Sequence, residues 1–349
     1  MRRMKIIAVD THCAFCEGGY ISPTGRELGS FRVQTTIPAL VEQIEKVARP
    51  RKLVIEEGPL ADWLSRSLSP HVDEMIVCDP YRNALIAREG DKDDPIDWRK
   101  LAQLCRGGYL RVVHHPRTLE RSVLRQHVQL YHERVSRRVS EGHKIIWRAR
   151  GFGVIVLHRD LIDPARRKRM LESLPAQPTV QQDVQLLLEG FDQLAGQVKQ
   201  LRRRLVELSG REPMIQRFCE VSGVKQVRAA TFFAIVDTPF RFKTKKKLWK
   251  YMGIGLEKHR SGNGPTRLGV PKRCNRILKS VILGAAKSAI ASKENVFADQ
   301  YERWLDAGCS PRIAKRNVAR SQARVMWGMW KSGSRFDERL ISGSTAALA

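Results

Sequence analysis

The chain has 349 residues, 42% of them hydrophobic, and carries 63 Lys and Arg against 36 Asp and Glu, a formal charge of +27. The apolar share is enough to build real cores, which excludes a wholly disordered basic tail, and no stretch approaches the ~20 apolar residues a membrane helix needs. The length predicts two or three domains. The opening residues MRRMKIIAVD hold a short apolar run that stops at Asp10 and do not read as a secretory signal. Seven cysteines spread along the chain fit a reducing cytoplasm better than a disulfide framework. The excess of positive charge points to a polyanionic partner, nucleic acid foremost.

The charge is unevenly distributed. Residues 1–115 hold 17 basic and 16 acidic residues, whereas the remainder holds 46 and 20. In the near-neutral block, Lys5–Val9 reads as a buried strand ending at Asp10, and Glu17–Ile21 and Gly29–Val33 as its antiparallel neighbours across the turn Ser22-Pro23-Thr24-Gly25. Pro38–Val47 has helical spacing, Leu53–Ile55 is a strand running into Glu56-Glu57, Leu60–Leu68 is helical, Glu74–Cys78 is a fifth strand and Asp97–Cys105 a helix. The order βββαβαβα is that of a ribonuclease-H-like α/β fold.

The middle of the chain is helical. Leu187, Phe191, Leu194, Val198, Leu201, Leu205 and Leu208 alternate spacings of four and three, a coiled-coil seam. Leu124, Val128, Tyr131 and Val135 share the rhythm. Between them lies Gly151–Pro178, with three prolines and the basic run Arg166–Arg169. The seam fits either a hairpin within one chain or a dimerisation arm. From about Gly210 the chain offers Ser222-Gly223-Val224 before the apolar helix Ala229–Val236, and then the basic run Lys243, Lys245, Lys246, Lys247 and Lys250. A polar loop from Glu257 to Val270 and a helix opening at Pro271-Lys272-Arg273 follow. Domains are expected at 1–115, 116–210 and 211–341, with 342–349 a disordered tail.

Four acids stand out: Asp10 at the end of strand one, Glu56 at the end of strand four, and Asp94 with Asp97 at a helix start. In a ribonuclease-H-like sheet strands one and four are neighbours, so these carboxylates would converge. Oxygen donors suit Mg²⁺ or Mn²⁺, and paired ions of this kind clamp the oxygens of a phosphodiester. Chemistry alone does not separate Glu56 from Glu57. Taken singly, each acid also fits a helix cap or a solvated charge. His12, Cys13 and Cys16 lack a second ligand pair at zinc spacing and read as strand-turn residues; His114-His115 read as structural, and Trp327 with Trp330 as core.

VDTH, VIEEG and DKDDPID followed by WRKLAQL resemble the DEDD-type insertion-sequence transposases of the group numbered one-ten and eleven-eleven. CEVSGVKQVRAATFFAIVDTPF resembles the helix-hairpin-helix entry of that family, with Ser222 where Pro is usual. RSGNG, PKRCNRILK and IAKRNVARSQARVMWGMWKSG resemble its later motifs, with Cys274 where Gly is usual.

The resemblance implies a RuvC-like first domain, a coiled coil and a mostly helical transposase domain. It implies an RNA-guided DNA recombinase in which Ser261 attacks the phosphodiester and holds the strand as a phosphoserine, flanked by Arg260 and Arg267. Donor and target duplex DNA, a guide RNA, a homo-oligomer through the coiled coil and a cytoplasmic, nucleoid-associated prokaryotic setting are the expected partners and place. Lys243, Lys245, Lys246, Lys247, Lys250, Arg260, Arg267, Lys272 and Arg273 are the expected nucleic-acid contacts. Two alternatives stay open: a metal-dependent nuclease or junction resolvase with no serine intermediate, and a non-catalytic nucleic-acid scaffold.

Overall fold

The computed structural model describes residues 4–81, 94–259 and 267–342. It is mixed α/β and divides into two compact units, Met1–Val123 and Leu124–Ala349.

The first unit is a sheet with helices on both faces. Its elements are β1 (Lys5–Thr11), β2 (Phe15–Ile21), β3 (Glu27–Gln34), α1 (Ile37–Glu45), β4 (Arg51–Glu56), α2 (Ala61–Leu68), β5 (Glu74–Cys78), α3 (Asp94–Arg106) and β6 (Val112–Val113). The strands lie in the order β3-β2-β1-β4-β5-β6. β1 pairs antiparallel with β2 and parallel with β4, and β4 pairs parallel with β5. Side chains alternate between the faces of a strand, and both faces are apolar because both are covered. Ile7, Val9, Leu53, Ile55 and Val77 pack on Leu40 and Ile44 of α1 and Leu64 of α2. Ile6, Ala8, Val54, Ile76 and Cys78 pack on Trp98, Leu101 and Ala102 of α3.

The direction of α3 matters for the site. The Trp98 ring lies on Gly19, where a Cβ atom would come within 2.4 Å of it, and Gly19 sits opposite Ala8 in the middle of β1. At the other end of α3, Gln103 Nε2 donates to the Gly25 carbonyl at 3.0 Å. Gly25 belongs to the turn after Ile21, the residue opposite Ile6 near the start of β1. The helix therefore runs antiparallel to β1. Its C-terminal end is clamped at the start of β1, and its N-terminal end lies toward Asp10.

The second unit is helical apart from one small hairpin. Its elements are α4 (Leu119–Gly151, which begins in the first unit), α5 (Pro164–Glu172), α6 (Pro178–Gly210), α7 (Pro213–Phe218), α8 (Gln226–Val236), α9 (Lys245–Tyr251), β7 (Glu257–His259), β8 (Arg267–Gly269), α10 (Arg276–Ser292), α11 (Val296–Asp306), α12 (Pro311–Ser332) and α13 (Arg339–Ser342). The long helices α4 and α6 pair antiparallel within the chain: His127 Nε2 is 2.9 Å from the Leu201 carbonyl, and Arg148 pairs with Asp183 at 3.0 Å. The buried seam of α6 is Val184, Leu188, Phe191, Val198, Leu201, Leu205 and Ser209. Leu187, Leu194 and Leu208 are only half-buried. A straight helix drifts about 20° per heptad from a 3.5-residue repeat, so the seam walks off the predicted positions at its ends.

Every residue from Ala229 to Val236 in α8 is buried, among α7, α10 and α12. Gly223, before it, has φ +80°, and a Cβ there would lie 2.2 Å from the Ala285 carbonyl. The helix expected to open at Pro271 instead begins at Arg276, where the Asn275 side chain accepts from Leu278 N at 2.9 Å. An asparagine cap outweighs the proline signal. Ser342, placed at the start of a disordered tail, ends α13, and residues 343–349 lie outside the described residues. No helix among the described residues is long and apolar enough to cross a membrane.

Candidate functional site

Asp10 and Glu56 stand at the C-terminal ends of neighbouring parallel strands. The register Ala8↔Val54 and Val9↔Ile55 runs directly into them. Alternation puts both on the face whose preceding members, Ala8 and Val54, are covered by α3. The start of α3 comes to the same end of the sheet. It begins at Asp94, with Asp97 exposed on its first turn; the side chain of Asp94 lies outside the described residues. Asp10 and Glu56 thus share one end and one face of the sheet, and the backbone at the start of α3 comes to that end. Asp10 Oδ2 is 3.0 Å from His12 Nε2. Opposite Asp10 in β2 is Glu17, a buried carboxylate that the sequence did not single out; it pairs with Arg32 at 2.9 Å, whose guanidinium lies 3.9 Å above the Phe15 ring.

Glu57 lies in a different environment from Glu56. Its N–H donates to the Cys78 carbonyl at 2.8 Å, and its carboxylate meets His115 Nε2 at 2.5 Å. The other ring nitrogen of His115 is 3.4 Å from Asp62 Oδ1. Asp62 also contacts Arg66 and the Ser122 hydroxyl, and Arg66 donates to that hydroxyl at 2.7 Å. Burial pushes the Asp62 carboxyl up, but hydrogen bonds from Ser122, Arg66 and His115 and the Arg66 charge outweigh it and hold the group below the ordinary carboxylate range. Asp62 and Arg66 are neighbours one turn apart on α2, but Glu57, His115 and Ser122 join them only through tertiary packing.

Asp10 and Glu56 offer carboxylate oxygens, the donor type a hard divalent cation takes. Among the described residues no group of three or more His, Cys, Asp or Glu side chains is closed around a common point. The Cys13-x-x-Cys16 pair is split between an exposed thiol and a buried one, and Cys16 Sγ lies 3.4 Å from Thr35 Oγ1.

In the second unit, β7 and β8 pair antiparallel through Glu257↔Gly269 and Lys258↔Leu268. Ser261 and Arg260, in the sequence between these strands, lie outside the described residues, as does the side chain of Arg267. Lys272 and Arg273 are exposed in the turn before α10. Lys243, Lys246 and Lys247 are exposed and Lys245 half-buried, with Lys245 Nζ 5.9 Å from the Trp249 ring. Lys250 is paired with Glu257 at 2.6 Å, so one positive charge of the run is already offset. The tryptophans read as core pack on it: Trp330 stacks on Phe233 at 4.8 Å, and Trp327 donates to the Pro239 carbonyl at 2.7 Å.

Comparison with known proteins bears mainly on the second unit. Residues 215–302 match the family described as Transposase IS116/IS110/IS902. The chain is 25% identical over 179 residues to the "Putative transposase y4pF/y4sB" of Sinorhizobium fredii, covering 49% of this chain and 46% of that protein. It is 26% identical over 117 residues to the "Transposase for insertion sequence element IS1111A" of Coxiella burnetii, covering 33% of this chain and 32% of that one. The chain spans less than half the length of either relative in these matches.

Proposed function

We propose that this chain is the transposase of an insertion sequence, a DNA recombinase that joins strands through Ser261 under the direction of a structured RNA. The observation that carries the reading is the coincidence of two independent features. Residues 215–302 match a transposase family, and Asp10 and Glu56 end adjacent parallel strands on the face covered by the helix that begins at Asp94. We read the first unit as RuvC-like, within the ribonuclease-H-like class, on the strand order β3-β2-β1-β4-β5-β6, with pairing that changes from antiparallel to parallel at β1 and back to antiparallel between β5 and β6. The turn at Gly223 before the buried helix α8 supports the helix-hairpin-helix reading of the second unit.

In this mechanism Ser261 Oγ forms a bond to phosphorus, the bond to the leaving strand oxygen breaks, and the serine proton passes to solvent or a neighbouring carboxylate. The ester formed keeps the phosphodiester's energy, so rejoining needs no nucleotide cofactor. No Gly-x-x-x-x-Gly-Lys-Ser/Thr loop occurs in the sequence. Asp10, Glu56, Asp94 and Asp97 would hold Mg²⁺ or Mn²⁺, which supplies electrostatic stabilisation at the phosphate oxygens. A homo-oligomer belongs to the same reading; Trp147, Ile155 and Ile162, at 77%, 80% and 62% exposure around the connection between α4 and α6, give a second copy an apolar surface to meet.

The test is a denaturing gel of the protein with labelled substrate DNA, structured RNA and Mg²⁺. Wild type should give a covalent protein–DNA adduct, and Ser261→Ala should lose the adduct and recombination together while DNA and RNA binding persist. Recombination by Ser261→Ala would return the chemistry to the acids alone.

A further inference from the structure

The helix α12 carries Arg312, Lys315, Arg316, Arg320, Arg324 and Lys331 and has no Asp or Glu. Four of the arginines are spaced by four residues, which stacks them turn above turn along one side. Buried Ala314, Val318 and Met329 hold the opposite side in the core, so the stripe is fixed in direction. Like charges at this spacing destabilise a helix. Burial, and then the charge of Arg312, lowers the Arg316 guanidinium; burial, and then the charge of Arg316, lowers that of Arg320. Arg312, Arg316 and Arg320 form no ion pair among the described residues.

The stripe is tied to the segment that leads to Ser261. Arg320 Nε donates to the Ile254 carbonyl at 2.6 Å, and its Nη1 donates to Asn317 Oδ1 at 2.9 Å. Its own carbonyl accepts from Trp249 Nε1 of α9 at 3.1 Å. Ile254 sits three residues before β7, whose far end adjoins the residues that include Ser261. The basic helix α9 and the arginine side of α12 therefore lie next to each other, joined through Trp249 and Arg320, beside the chain that enters the β7–β8 pair.

Arg312 and Arg316, which form no ion pair among the described residues, suit an external polyanion. Guanidinium forks match phosphate oxygens bidentately. A four-residue step advances about 6 Å along a helix, comparable with the separation of successive phosphates on one strand. We propose that Arg312 and Arg316, with Arg320 bracing the helix beneath them, form a track for the DNA sugar-phosphate backbone beside the phosphodiester that is cut. The ligand is DNA because the track is braced to the segment leading to Ser261; that location, though not the phosphate binding, rests on the function proposed above.

The experiment measures binding of a short DNA duplex by full-length protein across a salt series. Arg312→Ala/Arg316→Ala is compared with wild type, and Arg320 is left in place because it braces Ile254. Each lost phosphate contact reduces the log–log salt slope by about 0.9, so the double variant should lose about 1.8. Its thermal midpoint should hold or rise, since repulsion is relieved; if the double variant unfolds, the single Arg312→Ala should still lose about 0.9. A parallel series with a structured RNA of equal length should keep the wild-type slope. An unchanged DNA slope, or an equal loss on DNA and RNA, overturns the proposal. Repeating the pair in a Ser261→Ala background separates the two claims: the slope reports the track, and the covalent adduct of the Ser261-containing protein reports the nucleophile.

Discussion

His115 and Glu57 are joined side chain to side chain across 58 residues of sequence, imidazole Nε2 against carboxylate Oε2. This contact separates two adjacent glutamates that are chemically alike. Glu56 ends β4 on the α3 side with Asp10 beside it, whereas Glu57 is bound into the group formed by His115, Asp62, Arg66 and Ser122. Glu56→Gln should abolish strand cleavage with little change in thermal midpoint. Glu57→Gln should retain cleavage and lower the midpoint, by on the order of 1 kcal/mol for a weakened charged hydrogen bond. Cleavage assays and melts on the two variants check the division, and loss of cleavage in Glu57→Gln alone would reverse it.

The acids at the sheet end should be separable from affinity. Asp10→Asn and Asp97→Asn remove negative charge from the near-neutral block and leave the basic remainder untouched. Strand cleavage should disappear while duplex binding stays within a few-fold of wild type. Unchanged cleavage by purified Asp10→Asn would remove the metal assignment.

Gly19 is the point on which α3 rests. A Cβ there would lie 2.4 Å from the Trp98 ring, and overpacking of this kind typically costs about 1–3 kcal/mol. Gly19→Ala should lower the unfolding midpoint of the first unit and also reduce cleavage, since the helix it displaces begins with Asp94 and Asp97. Adding Trp98→Phe should recover part of both losses, as read by calorimetry and by the cleavage assay.

The second unit should lose stability in mild acid. Burial holds His132 down to about 4, against about 6.5 in an unfolded chain, and its Nε2 lies 2.9 Å from Thr231 Oγ1. As pH falls the unfolded chain takes up the proton first. The stability tied to the neutral ring is therefore complete above about pH 6.5 and declines until the folded ring itself titrates near 4. Denaturant midpoints measured across that window should slope downward toward acid in wild type, and the slope should shrink in His132→Gln.

Much of the first unit was legible because its strands are apolar on both faces and end in polar turns: β5 was read at its observed limits, and β1 and β4 within two residues at each end. The start of α3 was less so. Pro95 and the acidic residues around it hide the helical spacing, which becomes clear only from Trp98, so the sequence places the start at Asp97, three residues after the observed one. Asp10, Glu56 and the paired aspartates could be nominated from strand order, since register places strand ends without any knowledge of side-chain packing. His115 could not, because its partners Glu57 and Asp62 lie more than fifty residues away and neither spacing has a periodic signature. The arginine stripe was not singled out in the sequence, because its fixed direction depends on which side of α12 the core takes.

The clamp at the far end of α3 sets apart two kinds of change. Gln103 holds the Gly25 turn and Arg99 holds Glu27 at 2.9 Å, while Asp94 and Asp97 occupy the opposite end of the same rigid rod. On the function proposed above, replacing a carboxylate would turn the chemistry off. Loosening the clamp would displace the start of α3 while leaving the carboxylates intact. Under the proposed function, variation in this chain would then have a graded control, located in surface contacts of a hairpin turn, beside the all-or-none control in the acids.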